Sequence, residues 1–216
     1  MNIINQIISS YLNNKSLYIG EKITMAEHMI QTAMLAEKTN SSSNLVCSCL
    51  LHDYGHFILE NPDHLVSKEK DGKHENLGYE FLKKYFIKDV VGPIKYHVKA
   101  KKYLARNKKY YETLSQASKV SLKLQGGIMS NDDAKEFENN KFFESSIKLR
   151  KFDENAKKVG LKIKSINEGI YKEYGFDKKI EELSKKKHWK MKEFFKSDYI
   201  ASKNVNAWLG LARVIK

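Results

Sequence analysis

A chain of 216 residues is long enough for one domain with a sizeable core and a terminal extension. Apolar residues make up 41%, which excludes a wholly disordered chain, and the two prolines, Pro62 and Pro93, leave room for long helices. The formal charge of +13 suits an anionic partner, whether a phosphate-bearing substrate, nucleic acid or a membrane surface, although much of the excess is Lys expected on solvated faces.

The opening MNIINQIISSYLNN has no basic start and no long apolar run, so neither a signal peptide nor a membrane span is expected in it. Residues 3–12 are spaced as a short amphipathic helix, and KSLYIGEKIT (15–24), broken by Gly20, reads as a loop. Thr24 followed by Glu27 is a capping-box pattern that opens a helix over 25–38, with Met25, Met29, Ala33 and Ala36 facing inward. TNSSSN is a connector, and Asn44 caps a helix expected over 45–59. Cys47 and Cys49 stand two apart on that helix, point to different faces and are expected to be free thiols in a reducing cytoplasm.

ENPDHLVSKEKDGKHE, with Pro62 and Gly72, reads as a long polar loop, a length that is often functional. Helices are expected over 75–86, 88–105 and 107–113. Gly126 and Gly127 break regularity in LQGGIMS, Ser130 with Asp133 caps a helix reaching 138, and a further helix covers 142–155. No alternating β-branched run reaches useful length, so the fold class is all-α. Beyond 163 the chain reads as a basic helical extension, with 14 Lys and Arg against 7 Asp and Glu over residues 161–216. Its KKKHWKMKEFF segment (185–195) mixes basic and aromatic residues, and is expected to rest on the domain rather than bind membrane or nucleic acid.

The chemistry concentrates in LLHDYGHFIL (50–59), an apolar run carrying His52, Asp53 and His56. Adjacent imidazole and carboxylate groups suit a divalent transition metal such as iron, manganese or zinc, and a bound cation offsets the cost of burying the carboxylate. His28, His74, His97 and Asp153 are further candidate ligands, each of which alone could be an ordinary hydrogen-bonded residue. His64 and His188 are read as surface residues.

His28, then His52-Asp53, then Asp153 resemble the H…HD…D signature of the HD-domain metalloenzyme superfamily, and His74 and His97 match the two additional histidines of its binuclear members. YIGEKITMAEH, LLHDYGHF, HVKAKKYL, LSQASK, LQGGIMS and IKLRKFDENAKKVGL, in order over residues 15–163, are similar to one branch: the PhnZ-type phosphonate-cleaving oxygenases, related in chemistry to myo-inositol oxygenase. Tyr54 departs from the commoner His-Asp-Ile-Gly, a change expected to affect packing only.

The resemblance implies an all-α HD-domain helical bundle over residues 1–163 with a binuclear metal site, followed by the extension at 164–216. It implies His28, His52 and Asp153 at one iron, His74 and His97 at the other, and Asp53 bridging, with a mixed-valence Fe(II)/Fe(III) pair and O2 as co-substrate. It further implies C–P cleavage of a 1-hydroxyphosphonate, in particular 2-amino-1-hydroxyethylphosphonate to glycine and phosphate, after a separate upstream hydroxylase. Tyr18 and Glu21 match a substrate-sensing loop; Ser118 and Gln125 match further phosphonate contacts. The spacing adds His56 four residues after His52, Lys101 four after His97, and Arg150 three before Asp153 as a phosphonate clamp. The alternatives are an HD phosphohydrolase acting on a nucleotide or other phosphomonoester, where the metals activate water, and a non-catalytic module with a nucleic-acid-binding tail.

Overall fold

Thr24 sets the first long helix as its sequence predicts: its side chain accepts from the Glu27 amide while Glu27 accepts from the Thr24 amide, closing the capping box. The structure, a computed structural model, describes residues 3–18, 20–59 and 73–163. In chain order these form α1 (Ile3–Asn13), α2 (Met25–Lys38), α3 (Ser43–Leu51), α4 (Gly55–Ile58), α5 (His74–Leu82), α6 (Lys88–Leu104), α7 (Lys108–Thr113), α8 (Gln116–Leu124), α9 (Asn131–Glu138) and α10 (Phe143–Asn155). No strand occurs among the described residues, only an isolated bridge between Leu17 and Thr24 that closes the loop before α2. The all-α bundle is the architecture that the resemblance implies.

α2, α3, α6 and α10 pack on one another, and α4 and α5 lean on this group, α5 against α6 and α4 against α5. The inward faces bury Met25, Met29, Ala33 and Ala36 of α2 with Leu50, Leu51, Val90, Ile94 and Leu149. Burial of this apolar surface is the main stabilising term, at roughly 25 cal/mol per Å². Tyr54 is buried in the core, with Ser10 Oγ 3.0 Å from its hydroxyl, so it packs as expected and also keeps a polar partner.

Three sequence expectations change. The helix over 45–59 is two pieces: α3 ends at Leu51, and Tyr54, His56 and Phe57 donate to carbonyls three residues back, tightening the chain around His52 and Asp53. The cap of α3 is Ser42, not Asn44. Between residues 113 and 125 there is a helix, α8, that the pattern conceals: only Ser118 and Leu122 are buried on it, and Ser115 caps it.

Gly55 is a contact point. A Cβ placed there would lie 1.9 Å from the His74 carbonyl oxygen, so the missing side chain lets the start of α5 rest on α4. Among the described residues no helix is long and apolar enough to cross a membrane. His64, His188 and the extension at 164–216 lie outside the described residues.

Candidate metal centre

Four elements and one turn deliver six side chains to one buried place. His28 comes from α2, His52 and Asp53 from the α3–α4 turn, His74 from the first residue of α5, His97 from α6 and Asp153 from the last turn of α10. Each is buried, with His28 and His52 fully enclosed. They divide into two groups. His28, His52 and Asp153 offer ligand atoms within 4.8 Å of one another, and so do Asp53, His74 and His97.

Asp53 joins the groups through its two oxygens. Oδ1 lies 3.2 Å from His74 Nε2 and 3.4 Å from His97 Nε2; Oδ2 lies 3.3 Å from His52 Nε2 and 3.7 Å from His28 Nε2. Asp153 Oδ1 is 3.2 Å from His28 Nε2 and, although buried, has no hydrogen bond. Three histidines are held from behind: Nδ1 of His28 meets the Ala156 carbonyl at 2.9 Å, that of His52 the Cys49 carbonyl at 2.8 Å, and that of His97 the Ile94 carbonyl at 2.7 Å. A carbonyl can only accept, so each Nδ1 carries the proton, and in the neutral ring Nε2 presents a lone pair.

The Nε2 atoms of the four rings meet in pairs, and at His28–His52 the two lone pairs face each other. His28 and His52 approach to 3.2 Å between their Nε2 atoms, and His74 and His97 to 3.1 Å. Two acceptors at that distance need a cation between them, and the orphaned Asp153 oxygen points to the same need. The residues fit a metal in each group, with nitrogen and oxygen donors suited to iron, manganese or zinc. Without metal, His52 keeps a second proton. Burial alone pushes the His52 imidazole down, but Asp53 outweighs it and holds the ring protonated up to about 9. Burial pushes both carboxyls up, yet they stay well below the usual range, Asp53 through His52 and Asp153 through Arg150 and His28. Metal loading therefore releases protons.

Polar groups ring the centre. Arg150 is buried and engages Asp153 through Nη1, Glu154 through Nη2 and the Tyr110 hydroxyl through Nε at 3.2 Å. The sequence places Arg150 on the ligand face; only the structure gives it the further duty of supporting Asp153. Ser118 donates to Glu154 at 3.2 Å and accepts from Lys157 at 2.9 Å. Lys157 also reaches Glu154 Oε1 at 3.0 Å and stands 3.7 Å from Glu21 Oε1. Buried Lys101 donates to Ser121 at 2.9 Å; burial and then Arg150 push its ammonium down to about 7.

Tyr18 lies flat on His28, with ring centroids 3.9 Å apart. Gly20 of its loop, at φ +73°, sits so close to α8 that a Cβ would be 2.6 Å from Ala117 Cβ. His56 is stacked on His74 at 4.2 Å, despite the end of α3 before it. Burial and then His74 push its imidazole down to about 3, so it is a neutral ring, and its Nδ1 is buried without a hydrogen bond. Gln125 caps the end of α8, and its buried Oε1 likewise has no hydrogen bond, so it is not tied to the cluster by one. Sequence reasoning missed Glu75, Glu154 and Lys157, although Glu75 and Glu154 each directly follow a ligand and Lys157 lies one turn past Asp153.

Residues 25–124 match the HD domain family. A 1-hydroxy-2-(trimethylamino)ethyl phosphonate dioxygenase (glycine-betaine-forming) of Leisingera caerulea is 40% identical over 145 residues, covering 67% of this chain and 74% of the relative. The chain belongs to the HD-domain oxygenases of the PhnZ type. A hydroxymethylphosphonate dioxygenase of Gimesia maris is 38% identical over 155 residues, covering 70% of this chain and 76% of the relative. An uncharacterized protein of Acanthamoeba polyphaga mimivirus is 37% identical over 168 residues, 76% of this chain and 77% of its own length. As an HD-domain oxygenase the chain is an O2-using enzyme, and the paired His and Asp groups are arranged so that each could hold a metal ion.

Proposed function

We propose that this oxygenase uses O2 to break the C–P bond of a 1-hydroxyphosphonate, in particular 2-amino-1-hydroxyethylphosphonate, giving glycine and phosphate. Both oxygen atoms of O2 enter the products, and the equation balances without another reductant. The observation that carries the reading is Asp53, whose two oxygens each meet a separate histidine group in a buried, preformed pair of sites. A mixed-valence iron pair held there by His28, His52 and Asp153, by His74 and His97, and by Asp53 across both would supply the O2 chemistry.

The protein side chains bind, orient and exclude water. Lys101 and the neutral His56 offer charge and a free ring nitrogen to phosphonate oxygens; Ser118 and Gln125 extend the contact. Arg150 lends positive charge while its fork supports Asp153 and Glu154. Tyr18, stacked on His28, covers one ligand and must yield as substrate enters. Burial, then Asp153 and Asp53, push its hydroxyl up, so it is a neutral phenol. Glu21 has a buried oxygen without a hydrogen bond, with Lys157 at 3.7 Å, and would take a substrate ammonium.

The two named relatives act on a trimethylammonium and on a hydroxymethyl phosphonate, one with a cation and one without. Glu21 favours a cationic substrate here. The 1-hydroxyl requires an earlier hydroxylation, so a phosphonate hydroxylase would act upstream. The free, buried Cys47 and Cys49 suit a reducing cytoplasm. The test is to load the protein with iron and offer each of the three hydroxyphosphonates with an oxygen electrode and a phosphate assay. One O2 consumed per phosphate, fastest with the primary amine, is the expected result. Equal phosphate release without O2 refutes oxygenation and points to hydrolysis.

A further inference from the structure

His74 is the ligand held differently from the rest. His28, His52 and His97 each give Nδ1 to a backbone carbonyl at 2.7–2.9 Å. The Nδ1 of His74 instead faces a carboxylate, Oε2 of Glu75, at 3.8 Å. Glu75 is buried, its Oε1 accepts from Asn76 at 3.1 Å, and its Oε2 is enclosed with no hydrogen bond. An enclosed carboxylate oxygen without a donor is costly, and the ring nitrogen facing it is His74 Nδ1, 3.8 Å away. The stacked ring of His56 confines His74 to movement within its own plane.

The two ligand groups also differ in charge. One holds Asp153 and shares Asp53; the other has only its share of Asp53. A carboxylate behind His74 supplies negative charge to the poorer group at one remove.

We propose that Glu75 is the positioning residue for His74. It accepts the Nδ1 proton, fixes the tautomer that aims the Nε2 lone pair at the metal, and strengthens metal binding at the His74–His97 group alone. Such partners behind a ligand are worth about 10- to 100-fold in metal affinity. The inference rests on the two-metal reading above, and not on the identity of the substrate.

The test uses the full chain, titrated with Fe(II) under anaerobic conditions and with Mn(II) as a redox-silent probe, and reads metal per chain and thermal stability. His74→Ala marks which of the two binding steps belongs to its group. Glu75→Ala should weaken that same step about 10- to 100-fold and leave the other unchanged. Glu75→Gln keeps an acceptor without the charge, and should lose less. Two wild-type affinities in folded Glu75→Ala and Glu75→Gln overturn the proposal. Equal weakening of both steps also overturns it, because a purely structural role in the first turn of α5 predicts that pattern. A wild-type chain that binds only one ion refutes the two-metal reading itself, and the role of Glu75 with it.

Discussion

Gly55→Ala should disable the His74–His97 group by adding a single methyl. The residue needs no positive φ, so the conflict is one of packing alone. The new Cβ would stand 1.9 Å from the His74 carbonyl oxygen, 2.7 Å from its carbon and 3.0 Å from the Gly78 amide nitrogen. Bringing the closest contact to 3.0 Å, below which real Cβ atoms are essentially never found, requires a separation of about 1.1 Å between α4 and the start of α5. The obstacle is backbone, so no side chain can swing away. Overpacking of this kind costs about 1–3 kcal/mol. The functional effect is larger, because metal–ligand distances tolerate only about 0.2 Å. His74 rides on the displaced segment, 3.2 Å from Asp53 Oδ1. Iron titration of a folded Gly55→Ala protein should retain the His28–His52–Asp153 step and lose the other. A variant that binds two ions with wild-type affinity would refute the close approach of α4 to α5 as the element that builds the second group.

Asp53→Ala removes the carboxylate that serves both groups, so elemental analysis should find neither ion retained; two ions per chain would contradict the bridging role. Lys101 is protonated below about 7 and loses its charge as pH rises through that value, against Arg150 and the carboxylates of Asp153, Asp53 and Glu154. The KM for phosphonate should therefore climb by up to about tenfold per pH unit above 7, and Lys101→Ala should raise KM at pH 6.5 while flattening that rise. Removing a partner from a buried ion pair costs about 3–5 kcal/mol. Arg150→Met leaves Asp153 and Glu154 without their guanidinium, so thermal unfolding of the metal-free protein should fall markedly, with partial recovery on metal loading; an unchanged midpoint would remove Arg150 from that support.

The six residues that the structure brings together were legible as candidate ligands because their chemistry is carried by residue type. A histidine and an aspartate side by side in an apolar run cannot be buried without a partner, and their neighbours in the resemblance complete the six. The capping box at Thr24 and Glu27 and the cap at Ser130 were equally readable, since capping depends on residues three apart. The break at His52–Tyr54 was hidden, because the largely apolar stretch from Leu45 to Leu59 carries no local stop other than Gly55. α8 escaped because it turns only a narrow face inward, with Val120 exposed on it.

Local pattern by itself determined the all-α class, the capped starts at Thr24 and Ser130 and which side chains must find a cation, for these depend on spacing and residue chemistry. Tertiary structure decided the rest. It set which oxygen of Asp53 serves which histidines, that the fork of Arg150 is taken up by Asp153 and Glu154, that Lys157 joins Glu154 to Glu21, and that His74 alone among the ligands backs onto a carboxylate. These contacts join residues from separate elements or depend on the side-chain orientation that packing imposes, and neither is written in the order of residues along the chain.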